Sequence, residues 1–199
     1  MNIDHRPLKR LFAAAALGLL LPAFGAAPKS LFAQTDRQTA IEGWPAGSRR
    51  LLGAMIEKYG IPQRLNVVEA VWYDNGPWRK TVVHRDSASR FWGIKDKDYL
   101  EQFIRYQVPA DKAGSLKLFG KRLEIEGAVG ELSSRSASEG MNYMALNLAH
   151  EIVTGARSVE DARDFYLKTE ELSRAGKSSP YLEGFLFTVE ANGNAFRPE

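Results

Sequence analysis

The order of strand-like and helix-like segments constrains the fold of this chain most. Two runs rich in β-branched and aromatic residues, LNVVEAVWY from Leu65 and WRKTVVHR from Trp78, flank the turn sequence DNGP. Asn75-Gly76 can supply the positive φ angles of a tight turn, so the two runs predict a β-hairpin. Pro77 cannot donate a ladder hydrogen bond, which predicts a loop longer than two residues.

Two helices are predicted later in the chain, over residues 138–154 and 159–175. Gly155 ends the first helix, Ser158 caps the second, and Gly176 ends that one. Because the link GARS has only four residues, the two helices should be antiparallel neighbours.

Weaker patterns fill the remaining segments. The apolar spacing after Ser48 predicts a short helix that Ser48 caps and Gly60 ends, and DYLEQFIRY at 98–106 predicts another. ADKAGSLKLF adds a further turn or two of helix. Alternation in RLEIEGAVGELSSR and the run YLEGFLFTV at 181–189 predict strands.

Strands precede helices without any βαβ alternation. The sequence therefore predicts one α+β domain with a mostly antiparallel sheet and helices packed on one face. In this fold a C-terminal helical hairpin is followed by a final strand.

The first residues have the three parts of an export signal. Arg6, Lys9 and Arg10 precede an apolar core of eleven residues, 11–21, and small residues follow. A core of this length is typical of a cleaved signal and is short for a membrane span, which needs about 20 residues. The predicted organisation is a signal peptide over 1–33, cleaved between 25 and 33, a polar lead-in over 34–46, the α+β domain over 47–190 and a tail over 191–199.

The chain contains no cysteine, which excludes structural disulfides, thiolate metal sites and cysteine nucleophiles. An exported domain of this kind depends on its hydrophobic core alone. The expected location is bacterial, periplasmic or secreted, without stable membrane insertion after cleavage. The alternative is an envelope protein that an uncleaved N-terminal helix anchors.

The basic isoelectric point of 9.1 belongs largely to the signal. Residues 1–33 carry four of the 27 basic residues and one of the 24 acidic residues, so the remainder carries 23 of each. A balanced chain has no long-range field for polyanions, and nucleic-acid binding is not expected.

The pair His150-Glu151 in NLAHEIVTG resembles the start of a zinc-protease motif, but Thr154 occupies the place of the second histidine. After cleavage of the signal only His84 remains as another histidine, so no metal site is predicted. No phosphate-binding or dinucleotide motif is present either, and no cofactor is expected. Tyr143 and Leu146 lie on the same helix half as His150, which predicts that the lead-in segment or a ligand covers that half.

The predicted ligand surface is the stretch GPWRKTVVHRDSASRFW, because aromatic faces beside guanidinium groups can hold sugars, bases or carboxylates. Strand alternation would put Trp78, Lys80 and His84 on one face and Arg79 and Arg85 on the other. The leading hypothesis is a non-catalytic domain that binds a small ligand or an envelope protein. Its candidate ligand-binding residues are Trp78, Arg79, Arg85, Arg90, Trp92, Arg135 and His150.

A small secreted hydrolase is the competing hypothesis. Glu131, Ser133 and Arg135 in GELSSRS alternate at strand spacing and should project from one face. Catalysis would require the fold to bring His84 or His150 beside them, because no nucleophile-elbow motif is present.

The segments NGPWRKTVV, YLEQFIRYQVP and GELSSRSASEGMNYMALNLAHEIVTGARSVEDAR are similar to those of uncharacterised exported bacterial proteins. The resemblance covers roughly residues 48–170. It implies a bacterial, exported, single-domain protein and supplies neither an activity nor a functional residue.

Overall fold

The structure is a computed structural model that describes residues 39–88, 98–120 and 123–189. In chain order its elements are α1 (Ala46–Tyr59), β1 (Arg64–Leu65), β2 (Glu69–Asn75), β3 (Trp78–Ala88), β4 (Asp98–Arg105), α2 (Ala113–Phe119), β5 (Leu123–Glu126), β6 (Glu131–Ser136), α3 (Glu139–Thr154), α4 (Val159–Arg174) and α5 (Pro180–Glu183).

The strands form one six-stranded sheet in the order β1-β2-β3-β4-β6-β5. Every neighbouring pair is antiparallel. The fold is therefore α+β in a single domain, which confirms the predicted fold class.

Helices α1 and α3 pack on the same face of the sheet. On one half of that face, Leu52 of α1 joins Trp72 and Leu100 in a buried cluster. On the other half, Met144 of α3 joins Ile104 and other core residues. The prediction of helices on one face is confirmed.

Trp44 extends the first cluster beyond the predicted domain boundary. Its side chain is 3% exposed, and its indole Nε1 donates to the carbonyl of Val67 at 3.0 Å. Helix α1 begins at Ala46, and the hydroxyl of Ser48 donates to the carbonyl of Pro45 within the first turn. Ser48 is thus not the helix cap that the sequence predicted.

The helical hairpin agrees with the prediction almost residue by residue. The Ser138 hydroxyl accepts from the N–H of Met141, and Gly155 ends α3 in the left-handed conformation. The Ser158 hydroxyl accepts from the N–H of Asp161 at the start of α4. Local capping chemistry alone specifies these boundaries.

Strands β2 and β3 form the predicted hairpin, with Asn75 paired to Trp78. The loop is only Gly76 and Pro77, shorter than predicted, because Gly76 takes a positive φ of 60°. RLEIEGAVGELSSR forms two strands, β5 and β6, rather than one.

The segment DYLEQFIRY was predicted to be a helix, and the structure makes most of it β4. This strand lies in the sheet interior, with Lys80 of β3 and Ser133 of β6 both opposite Phe103. Both faces of β4 are largely buried and each carries apolar side chains, such as Leu100 on one face and Phe103 on the other, so its sequence does not alternate strictly between apolar and polar residues.

The predicted final strand over 181–189 is wrong. The short helix α5 occupies residues 180–183, and the described chain after it has no regular structure. The side chain of Asn147 on α3, rather than a neighbouring strand, pairs with the backbone of this segment. Its amide Nδ2 donates to the carbonyl of Gly184 at 2.8 Å, and its Oδ1 accepts from the N–H of Leu186 at 2.8 Å.

This C-terminal segment explains the mixed face of α3. Phe185 packs against Tyr143 with ring centroids 4.9 Å apart, and Phe187 stacks on His150 at 4.2 Å. Packing of this C-terminal segment therefore accounts for the apolar residues on this half of the helix. Among the described helices, none has the length and hydropathy needed to cross a membrane.

Candidate functional site

The sheet face opposite α1 and α3 carries most of the polar candidates. Glu131, Ser133 and Arg135 alternate along β6 as predicted, with Ser133 opposite Phe103 and Arg135 opposite Glu101. Val71, Val82 and Phe103 form a small apolar cluster. Val82 lies opposite Glu101 in the β3–β4 register, so the polar residues flank an apolar centre.

Glu101 joins a histidine to a serine on this face. One carboxylate oxygen, Oε2, lies 2.8 Å from Nε2 of His84, and the other, Oε1, accepts from the Ser133 hydroxyl at 3.0 Å. The side chain of His84 is 23% exposed and that of Glu101 is 14% exposed. We call His84, Glu101, Ser133 and Arg135 the sheet-face site.

The surroundings favour the ionised form of Glu101. Burial by itself would raise the pKa of this carboxyl, but the hydrogen bonds from His84 and Ser133 and the positive charges of His84 and Arg135 outweigh it, so the pKa is lowered. Burial also lowers the pKa of the Arg135 guanidinium, against the attraction of Glu101, Asp98 and Asp86. Glu101 is thus held in its ionised form beside His84, Ser133 and Arg135.

Arg135 is held by backbone as well as by charge. Its Nη2 donates to the carbonyl of Asp86 at 2.6 Å and its Nε to the carbonyl of Asp98 at 3.2 Å. Asp86 lies near the end of β3 and Asp98 begins β4. The guanidinium therefore joins these two strand ends and is oriented before any ligand arrives.

The structure separates the candidates of the predicted Trp78–Trp92 surface. Trp78 is 1% exposed and packs against Tyr143 and Phe185 in the helix-side core, so its indole is not available at the surface. Lys80 lies on the opposite face, with its Nζ 3.5 Å from the Phe103 ring centroid. The prediction that Trp78 and Lys80 share one face is wrong. Trp78 is the first residue of β3, and the alternation of faces along the strand does not extend to it.

The arginines of the same surface form local ion pairs. Arg79 donates to the carboxylate of Asp74 at 3.1 Å and lies 3.8 Å from that of Glu131. Arg85 is exposed and pairs with the adjacent Asp86 at 2.7 Å. Arg90 and Trp92 lie outside the described residues.

His150 lies on the helix side of the sheet, away from Glu131, Ser133 and Arg135. Its Nδ1 is 3.1 Å from the hydroxyl of Tyr106, and its ring stacks on Phe187. Burial lowers the pKa of His150, against the charge of Glu151. Of the two histidine candidates, only His84 is linked to β6, through the Glu101 carboxylate that also accepts from Ser133.

A second polar cluster, which the sequence did not predict, surrounds Glu139 at the start of α3. Its carboxylate accepts from Trp78 Nε1 at 2.7 Å and Gln102 Nε2 at 3.0 Å, and from Lys58 Nζ and the Tyr59 hydroxyl. Burial opposes ionisation, but these donors lower the pKa of Glu139. Because both of its oxygens are engaged, we interpret Glu139 as a structural residue.

Sequence reasoning missed Glu101 for a specific reason. The segment around it was interpreted as a helix, and in a helix Glu101 would have no relation to β3 or β6. Read as a strand, residues 99, 101, 103 and 105 would have alternated with 100, 102 and 104. That alternation is the one local signal that would have put Glu101 opposite the apolar core.

Among the residues that the structure describes, no group of three or more histidine or acidic side chains is arranged to hold a metal ion. Comparison with known proteins found no matching family model, no matching curated protein and no matching solved structure.

Proposed function

We propose that this protein is an exported binding domain of the bacterial envelope whose contact surface is the sheet-face site. The observation that carries the proposal is the His84–Glu101–Ser133 hydrogen-bonded chain on the sheet face opposite α1 and α3. An antiparallel sheet with one face on the core commonly leaves the other face polar. Here that face holds charges in fixed positions rather than on freely moving side chains.

His84 is the group best suited to contact a ligand directly. Its Nε2 is engaged by Glu101, whereas its Nδ1 has no hydrogen-bond partner among the described residues. Arg135, opposite Glu101 on β6, supplies an oriented guanidinium on the same face. A small polar ligand with a carboxylate or hydroxyl group matches this pair, because arginine and histidine both donate to such oxygens.

Non-catalytic binding fits the position of Ser133 better than nucleophilic catalysis does. In a serine hydrolase the histidine lies between the serine and the acid, and takes the proton of the serine. Here the acid lies between the other two groups, and Ser133 is fully buried. Ser133 orients Glu101 and is not presented to a substrate.

A thermal-shift screen of the mature protein against organic acids, sugars and short peptides tests the binding proposal. We expect at least one compound to raise the melting temperature of the wild type and to lose this effect in His84→Gln. His150→Gln is the matched control, because it changes the other histidine on the far side of the sheet. An equal ligand response in His84→Gln, with an unchanged circular dichroism spectrum, would contradict the assignment of this surface.

A hydrolase that uses His84 is the second candidate, because the contact of His84 with Glu101 is the orientation that a general base requires. In this alternative His84 activates a water molecule directly and Glu101 holds the imidazole. Chromogenic ester and phosphate substrates test it: activity that disappears in His84→Gln and persists in His150→Gln would support hydrolysis over binding alone.

Export is tested separately from binding. Mass spectrometry of the chain recovered by osmotic shock from a bacterial host should give a mature protein whose N-terminus lies between residues 26 and 34. Recovery of the chain with Met1 intact in the membrane fraction would support the anchored alternative instead.

A further inference from the structure

A cleft on the far side of the molecule from the sheet-face site lies between the second half of α4 and the segment that leads into α5. Its volume is about 310 Å³. This is the lower end of the range for small-molecule sites, roughly 300–1,000 Å³. The cleft is therefore large enough for a small ligand and too small for a macromolecular segment with side chains.

One wall of the cleft is apolar. It consists of Phe165, Leu172 and Pro180. Phe165 is held in place by the Tyr181 ring, with centroids 4.6 Å apart, and by the Arg157 guanidinium 4.7 Å from its centroid. Leu172 is 45% exposed, so a ligand that covers it would remove apolar surface from water.

The polar part of the lining is cationic. Lys168 and Lys177 line the cleft, and its lining contains no acidic side chain. Neither ammonium group has an ion pair or hydrogen bond with a described residue. The hydroxyl of Ser179, also in the lining, makes no capping bond to α5. The cleft thus combines an apolar wall with two ammonium groups that have no acceptor among the described residues.

The turn after α4 fixes Lys177 near the apolar wall. Gly176, at a positive φ of 79°, donates to the carbonyl of Ser173 at 3.0 Å, and the N–H of Lys177 donates to the carbonyl of Leu172 at 2.9 Å. These two bonds are those of a Schellman motif, in which glycine supplies the left-handed residue. The backbone of Lys177 is therefore anchored beside Leu172 rather than in a free loop.

We propose that this cleft binds a small amphipathic monocarboxylate, with its carboxylate at Lys168 and Lys177 and its apolar body against Phe165, Leu172 and Pro180. A simple inorganic anion would leave the apolar wall exposed, and a neutral apolar compound would leave both ammonium groups without an acceptor. Only a ligand with both parts uses the whole lining.

Titration of the mature protein with octanoate, followed by the amide resonances of an isotope-labelled sample, tests this inference. Saturable shifts are expected at residues 168, 172, 177 and 179. Octanol lacks the charge and acetate lacks the apolar body, so both should bind at least about tenfold more weakly, the equivalent of 1.4 kcal/mol.

The variant Lys168→Gln/Lys177→Gln should lose at least about tenfold in octanoate affinity. The matched control Lys112→Gln/Lys117→Gln makes the same charge change at the N-cap and in the last turn of α2 and should bind like the wild type. Shifts confined to other residues, equal losses in both variants, or octanol binding as tightly as octanoate would each overturn the proposal. His84→Gln leaves this cleft unchanged, so the result does not depend on the function proposed for the sheet-face site.

Discussion

Glu139 joins four elements of the fold through one carboxylate. Its donors come from α1, β3 and β4, and Glu139 itself lies in the first turn of α3. An acidic residue in this position is also favoured by the partial positive charge of the helix N-terminus. The buried donors Trp78 and Gln102 depend on this acceptor, because leaving a buried N–H without a partner is costly.

The substitution Glu139→Gln should therefore lower the free energy of unfolding by about 2 kcal/mol, the scale of a lost charge-assisted hydrogen bond together with unsatisfied partners. Urea unfolding followed by tryptophan fluorescence measures the change. The control Glu124→Gln removes an exposed carboxylate from β5 and should change the stability by less than about 0.5 kcal/mol. Equal effects of the two substitutions would show that the cluster around Glu139 does not stabilise the fold.

The C-terminal segment is an element that α3 holds through polar as well as apolar contacts. Asn147 is 2% exposed and bonds the backbone at Gly184 and Leu186, while Phe185 and Phe187 pack on Tyr143 and His150. These side-chain hydrogen bonds pair the backbone N–H and C=O groups of an irregular segment, as the hydrogen bonds between strands do in a sheet. The segment is therefore part of the domain and not a tail.

The substitution Asn147→Ala should release this segment, because the part-buried backbone groups of Tyr181, Gly184 and Leu186 lose their partner. We expect a loss of about 2 kcal/mol in stability and much faster hydrogen exchange of the Leu186 amide. Thr154→Ala is the control, since the Thr154 hydroxyl bonds only carbonyls of its own helix. Unchanged protection of Leu186 in a folded Asn147→Ala variant would contradict this assignment.

At the scale of the whole molecule, ionised carboxylates on both faces of the sheet link stability to pH. The pKa values of Glu101 and Glu139 lie below their ordinary value of 4.5, since their hydrogen-bond donors and nearby positive charges outweigh the effect of burial. Between the lowered folded-state pKa and 4.5, the unfolded chain binds more protons than the folded chain. Stability is therefore fully present above pH 4.5 and declines as the pH falls through the folded-state values.

Urea unfolding at a series of pH values between 7 and 3 should show this decline in the wild type. The slope should be smaller in Glu101→Gln and in Glu139→Gln, because each variant removes one titrating group. Thr154→Ala, which removes no titrating group, should retain the wild-type slope. A Glu101→Gln variant with the full wild-type pH dependence would show that His84 and Ser133 do not favour the ionised carboxylate.

The sheet-face site was partly predictable. The alternation of Glu131, Ser133 and Arg135 in β6 was a local signal, and the structure confirms that the three share a strand. Their approach to His84 depends on Glu101, and therefore on the pairing of β4 with both β3 and β6. No local pattern encodes which strands become neighbours, so the site could not be assembled from the sequence.

The sequence by itself determined the features that depend on neighbouring residues: the hairpin at Asn75-Gly76, the boundary residues Gly155 and Ser158, and the α+β class. Tertiary structure alone decided that residues 98–105 form an interior strand, that residues 180–189 cover α3, and that Trp78 belongs to the core. The physical reason is the distance along the sequence between the residues that stabilise each feature. A cap or a tight turn is stabilised by bonds within a few residues, whereas a strand with two buried faces is stabilised by partners distant in sequence.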